Sequence, residues 1–207
     1  MKGICFKEEL FNAVIEGRKT QTRRIIVEVE KLGNIEVRAY KDGTFGTFVN
    51  SVLHSVNLKP RYIVGDTVYL KEPYYESNLM KKTIEYKYNS DLPSDVIKRA
   101  KWANKLFMPE RYARYFIKIT SVRCERLQEI SDEDCLKEGI EEVFGRMNNN
   151  GVLNAIEPNY EVLYTNGFDT HNSKKKAYAA LIDKINGKNT WQSNPFVFVY
   201  DFELIKK

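Results

Sequence analysis

Eight consecutive residues, Gly17-Arg18-Lys19-Thr20-Gln21-Thr22-Arg23-Arg24, bring together one lysine, two threonine hydroxyls and three arginines. A hydroxyl becomes a useful nucleophile once a base takes its proton. An amine can be that base if its pKa is lowered, or it can stay charged and stabilise an oxyanion. Guanidinium forks suit phosphate oxygens. The segment follows an apolar helical pattern that ends at Gly17 and precedes the β-branched run Ile25-Ile26-Val27. Lys19 and Thr22 therefore fall on a sharp helix-to-strand turn, a place to bind an anion or perform chemistry. The alternative is a basic surface turn with a threonine opening a strand.

The elements that must hold this turn follow from periodicity and punctuation. Gly3 to Phe6 reads as a strand and Lys7 to Glu16 as a helix, with Leu10, Val14 and Phe11, Ile15 at four-residue spacing and Gly17 as the stop. Ile25 to Val29 predicts the next strand, and Asn34 to Val49 a hairpin turning at Lys41-Asp42-Gly43, with Val52 to Val56 pairing nearby. Gly65-Asp66 turns into the strand Thr67 to Glu72, halted by Pro73. Thr83 to Tyr88 and Tyr115 to Leu127 predict further strands, and Ser94 is a possible helix cap. Ser131 caps a short acidic helix that ends at Gly139, with Ile130 and Cys135 as its hydrophobic staple. Phe144 to Ser173 reads as irregular, Lys174 to Asn186 as a helix stopped by Gly187, and Val197 to Ile205 as the last strand. About seven or eight strands and three short helices that do not alternate predict an α+β, mainly β fold. The expected form is a small, mostly antiparallel barrel decorated by helices.

The chain of 207 residues fits one domain, with insertions near 32–60, 76–105 and 144–173. Net charge is only +5, but Lys81 to Arg126 carries 12 Lys/Arg against 5 Asp/Glu. Tyr and Trp interleave there, a pattern that suits a phosphate backbone with stacked bases, or else a solvated face above core aromatics. Cys5, Cys124 and Cys135 form no CxxC pair, so reduced thiols are expected. His54 and His171 have no metal-ligand spacing, and no metal or other cofactor is expected. No apolar run is long enough to span a bilayer, and the N-terminus lacks signal-peptide character, which predicts a cytoplasmic protein without membrane contact.

Several segments together resemble the ASCH family, whose fold is PUA-like. They are the helix and Gly17–Arg24, Gly65-Asp66-Thr67-Val68-Tyr69-Leu70-Lys71-Glu72, Met108-Pro109, Val122 to Ser131, Glu138-Gly139-Ile140, Ile185-Asn186-Gly187 and Asn194-Pro195-Phe196-Val197. Their order is similar to that of the longer, often phage- or prophage-encoded members. The resemblance implies a β-barrel with a cleft for a nucleic acid or modified nucleoside. In the small bacterial amidohydrolase branch, a Lys, a Thr and a Glu remove the acetyl group of N4-acetylcytidine. The matching positions here are Lys19, Thr22 and Glu138. That branch is about half this length, and the added segments can reshape or cover the cleft.

In that chemistry Thr22 is the nucleophile, Lys19 the base or the oxyanion stabiliser, and Glu138 either hydrogen-bonds the base or gives a proton to the leaving nitrogen. Arg18, Arg23, Arg24, Glu72, Tyr69 and Tyr74 are candidates for binding substrate or nucleic acid, with Trp102 as a further stacking residue. A different class of function remains open: an RNA-binding PUA-like module without hydrolysis, or a ribonuclease variant of it, for which no histidine pair is evident. A phage-defence-related interaction protein is the third reading. The expected partners are thus a modified cytidine nucleoside or RNA.

Overall fold

The last strand organises the molecule. β13 (Phe196–Ile205) sends Phe196, Phe198, Tyr200 and Phe202 into one apolar cluster and Val197 and Val199 into another. A strand buried on both faces must sit in the interior of its sheet. It does: the order of the main five-stranded sheet is β1-β6-β9-β13-β2, comprising β1 (Lys2–Cys5), β6 (Thr67–Lys71), β9 (Phe116–Arg126), β13 and β2 (Gln21–Ile25). The architecture is that of a computed structural model, which describes residues 1–27, 35–77, 83–88, 91–144, 158–164 and 167–205.

β1 and β6 pair in parallel, and the other pairs of this sheet are antiparallel. The register of β13 against β9 slips at Asp201/Phe202, where β9 carries Thr120 as an extra residue. Three smaller sheets accompany it among the described residues. β3 (Glu36–Ala39), β4 (Phe45–Val49) and β5 (Val52–Leu58) form one, and β7 (Tyr74–Ser77) with β8 (Thr83–Tyr86) another. β10 (Glu141–Val143), β11 (Asn159–Tyr164) and β12 (Gly167–His171) form the third. Among the described residues there are five α-helices: α1 (Glu8–Ile15), α2 (Ser94–Arg99), α3 (Asp132–Lys137), α4 (Lys174–Asn186) and α5 (Thr190–Ser193).

The first cluster packs Phe11 and Val14 of α1 against Val68, Leu70, Ile117 and the β13 aromatics. The second packs Cys135 of α3 and Ala177, Tyr178, Leu181 and Ile182 of α4 on Val197 and Val199. The main sheet is thus sandwiched between two apolar layers, an arrangement of mixed α+β class with few, short helices. Among the described residues no closed barrel forms, and the main sheet ends at β1 and β2.

The hairpin turning at Lys41–Gly43, the Ser131 cap and helix α4 agree with expectation. Four expectations are corrected. Of the strand placed at Ile25 to Val29, residues 28 and 29 lie outside the described set; the described strand spans Gln21–Ile25, because its partner β13 begins only after Pro195, and its last ladder bond runs from Ile26 N–H to the Phe196 carbonyl. Pro93, not Ser94, precedes α2, and no side chain caps that helix. Part of the segment Phe144 to Ser173 is a regular hairpin, β11–β12, while residues 145–157 lie outside the described set. Among the described residues, thirteen strands and five α-helices replace the expected seven or eight and three, the additions being short strands in the satellite sheets and helices α2 and α5.

Candidate active site

α1 ends at Ile15 with Glu16 as its C-cap, and Gly17 takes a left-handed φ of 79° that turns the chain back on itself. The Lys19 N–H then bonds the Ala13 carbonyl at 2.9 Å, pinning the lysine under the helix it has just left. Thr20 N–H donates to the Lys137 carbonyl at the end of α3. Glu138 is the residue after that helix. Gly139 N–H bonds Leu136 O and Ile140 N–H bonds Cys135 O, the paired contacts of a Schellman cap, with Gly139 at φ 99°. The cap fixes Glu138 in place and leaves its own carbonyl without a helical donor. The Lys19 ammonium fills that vacancy, donating to Glu138 O at 2.8 Å and to Glu138 Oε2 at 2.6 Å. A cation at a helix C-terminus is also favoured by the helix dipole.

Both partners are buried, Lys19 at 1% and Glu138 at 4% exposure. Desolvation lowers the Lys19 pKa, with the Glu138 carboxylate pulling it back up and Arg24 and Arg23 adding to the depression. The other Glu138 oxygen accepts from Arg23 at 3.2 Å. Arg23 uses all five of its N–H groups: on Glu125, on Asp134, on Glu138 and on Gln21. Its guanidinium thus locks the acid and has no donor left for a phosphate.

Strand alternation divides the neighbouring residues. Thr22 pairs with Tyr200 and Arg23 with Val199, so Thr22 lies on the face of the first cluster and Arg23 on that of the second. Since β2 is an edge strand, both faces reach one small cavity of about 70 Å³ that wraps its rim. Lys19, Thr22, Arg23, Arg24, Glu138 and Tyr178 all line it. Among the described residues no hydrogen bond joins the Thr22 hydroxyl to Lys19 or Glu138. The Tyr178 hydroxyl is buried without a hydrogen-bond partner in the described set, and burial raises its pKa well above the usual value.

The remaining candidates are placed as follows. Arg18 is exposed and paired with Glu16 and, at 2.8 Å, with Glu141. Arg24 donates to the Cys5 carbonyl at 2.9 Å and lies over the Phe6 ring. Glu72 is fully buried in a two-point contact with Arg114, at 3.0 and 2.6 Å, away from the cavity. Tyr69 is a core residue whose hydroxyl bonds Met108 O, and Tyr74 packs on the Tyr112 ring. Trp102 donates to the Ile97 carbonyl. The basic stretch Lys81 to Arg126 is not a single face either. Lys105 bonds Phe6 O, Arg114 holds Glu72, and Arg123 is tied to Glu125, Asp134 and Asp201.

Sequence reasoning missed the support around Arg23. Arg23 on β2 and Arg123 on β9 flank Val199 of β13, and two like charges so placed need shared anions. Glu125, Asp134 and Asp201 supply them, with Gln21 bridging Asp134 and Asp201. The i, i+2 spacing of Gln21 with Arg23 and of Arg123 with Glu125 was the available signal. Tyr178 gave none, being one aromatic on an apolar helix face.

No family model, curated protein or solved structure matches this chain. Among the described residues no group of His, Cys, Asp and Glu is arranged to hold a metal ion, and no helix is long and apolar enough to cross a membrane.

Proposed function

We propose that the protein is an amidohydrolase that removes the acyl group from an N4-acylated cytosine nucleoside. The observation that carries the reading is the buried Lys19–Glu138 contact opening, with Thr22, on one cavity. A volume of about 70 Å³ is roughly that of two waters in the liquid. It admits a small acyl group at the rim, not a whole nucleoside, which fits a substrate presenting only its acetyl end.

Thr22 Oγ attacks the acyl carbonyl carbon while its proton passes to the Lys19 amine, which is free to accept it when the proton of the Lys19–Glu138 contact rests on the carboxylate, a transfer that burial of Lys19 favours. The Tyr178 hydroxyl, without a hydrogen-bond partner among the described residues, is the available donor to the carbonyl oxygen as it becomes an oxyanion. Collapse breaks the C–N bond, and the proton reaches the departing N4 through the Lys19–Glu138 pair. Water then cleaves the threonine ester, with Lys19 again accepting the proton, to release the carboxylic acid and restore the hydroxyl. Arg23 is a positioning residue that holds Glu138.

The test is incubation with N4-acetylcytidine followed by chromatography for cytidine. Release by the wild type and its loss in Thr22→Ala support the reading; no release, or release unchanged by that substitution, refutes it. The same resemblance carries a PUA-like arrangement of the main sheet and a second reading, a nucleic-acid-binding module. The observation favouring the second reading is a basic cavity beside β2. In its ribonuclease variant the two histidines sit in separate sheets, His54 on β5 and His171 on β12.

A further inference from the structure

A larger cavity, about 410 Å³, opens on the other side of Arg24. Its size falls within the ~300–1,000 Å³ typical of small-molecule sites. Four cationic side chains line it, Arg24, Lys59, Arg61 and Lys71, and no carboxylate does. None of the four is in an ion pair among the described residues. Their contacts are to carbonyls and rings: Arg24 to Cys5 O, Lys71 to Leu106 O and over Tyr69, Arg61 over Tyr62. This is unusual in a chain where Arg18, Arg23, Arg38, Arg114 and Arg123 all meet acids. The floor is apolar and aromatic, with Phe198, Tyr200 and Tyr62. Tyr62 and Tyr200 are held rigid by an edge-to-face contact and by hydrogen bonds, Tyr62 to Gly3 O and Arg61 N–H to Tyr200 Oη.

Uncompensated cations over a rigid aromatic floor attract an anion that carries a flat or apolar part. Arg24 and Ile25 line both this cavity and the small one. We infer that the Arg24–Lys59–Arg61–Lys71 cavity binds the phosphate of a nucleotide, so that a phosphorylated ligand is held more tightly than the bare nucleoside. The inference deepens the amidohydrolase reading by naming its substrate class, but its test uses ligands with no acyl group and so stands apart from any failure of hydrolysis.

The experiment is calorimetric titration of the whole protein with cytidine, cytidine 5′-monophosphate and a short oligocytidylate at low and moderate salt. The monophosphate is expected to bind at least about tenfold more tightly than cytidine, the low end of what a charge-assisted contact contributes. Arg61→Ala and Lys59→Ala are expected to remove that advantage and leave cytidine binding as it was. Both residues are exposed, and Arg61 supports Tyr200 through its backbone N–H alone, so folding is retained and is checked by thermal melting. If the oligocytidylate binds more tightly than the monophosphate with a steep salt dependence, the phosphate belongs to a strand; if not, to a free nucleotide. Equal affinity for cytidine and its monophosphate, no binding of either phosphate ligand, or a phosphate advantage that survives both substitutions overturns the inference.

Discussion

Glu138→Gln is the sharpest perturbation of the site. The carboxylate receives Lys19 at 2.6 Å on one oxygen and Arg23 at 3.2 Å on the other. A glutamine keeps the shape but offers one acceptor, so its NH₂ must face one of the two cations. One charge-assisted hydrogen bond is lost, about 1.5–3 kcal/mol, and a buried cation loses its counter-charge, for which broken buried pairs typically cost about 3–5 kcal/mol. Both partners are almost fully buried, so solvent does little to screen the loss. Arg23 keeps Glu125 and Asp134, which confines the damage to Lys19. The expected loss is about 3 kcal/mol at pH 7, or ~6–12 °C in melting temperature for a chain of this size. The pH dependence adds a second readout. Because burial lowers the folded pKa of Lys19, the folded state binds fewer protons than the unfolded chain between that lowered value and ~10.4, and stability rises with pH across this window. Glu138 is what pulls the value back up, so its neutralisation moves the lower edge of the window to lower pH. Urea denaturation from pH 6 to 10 measures both. A loss under about 1 kcal/mol, with an unchanged pH profile, would refute the claim that this is a desolvated, mutually dependent pair.

Other expectations concern separate parts of the molecule. Thr22→Ala should reduce cytidine release from N4-acetylcytidine by at least about a hundredfold, as loss of a nucleophile requires, while chemical denaturation shifts by less than about 1 kcal/mol. Gly139→Ala places a Cβ 3.3 Å from Leu10 in a left-handed conformation; it should cost roughly 1–2 kcal/mol in denaturant melts and weaken hydrolysis by displacing Glu138. Arg114→Ala strands the buried Glu72 carboxylate and should cost about 3–5 kcal/mol without altering release once folded. Burial already raises the Glu72 pKa, so its contribution is complete below the unfolded value and is lost as pH rises through the folded one; Glu72→Gln should flatten that part of the stability profile. Burial pushes the Cys124 and Cys135 thiols up to about 12, so in the native state a thiol reagent should label both slowly and at full rate only after denaturation.

Sequence reading succeeded where the signal was local. Gly187 ends α4, Ser131 and Gly139 bracket the turn that carries Glu138, and Asp42-Gly43 marks a hairpin. It failed where the stabilising partner is distant. Gln21, Thr22, Arg23 and Arg24 look like a polar turn because nothing nearby balances them. They form a strand because Glu125, Asp134 and Asp201, roughly a hundred or more positions away, satisfy Gln21 and Arg23. The meeting of Lys19 with Glu138 is of the same kind: each end is marked by its glycine, but the contact spans 119 positions and depends on α3 docking beside β2. Short strands such as β7 and β10 carry too few residues for a period to register.

The two-sided burial of β13 has a mechanical consequence. A strand whose alternate side chains belong to opposite apolar layers cannot release one layer and keep the other, because any slide in register exchanges every contact at once. Loosening α4 from one side should therefore reach α1 on the other, and the rim that carries Thr22 should come apart only with the whole sheet. In hydrogen exchange, the amides of β13 and of the strands bonded to it would then open together as the slowest group, while the satellite hairpins open earlier and independently.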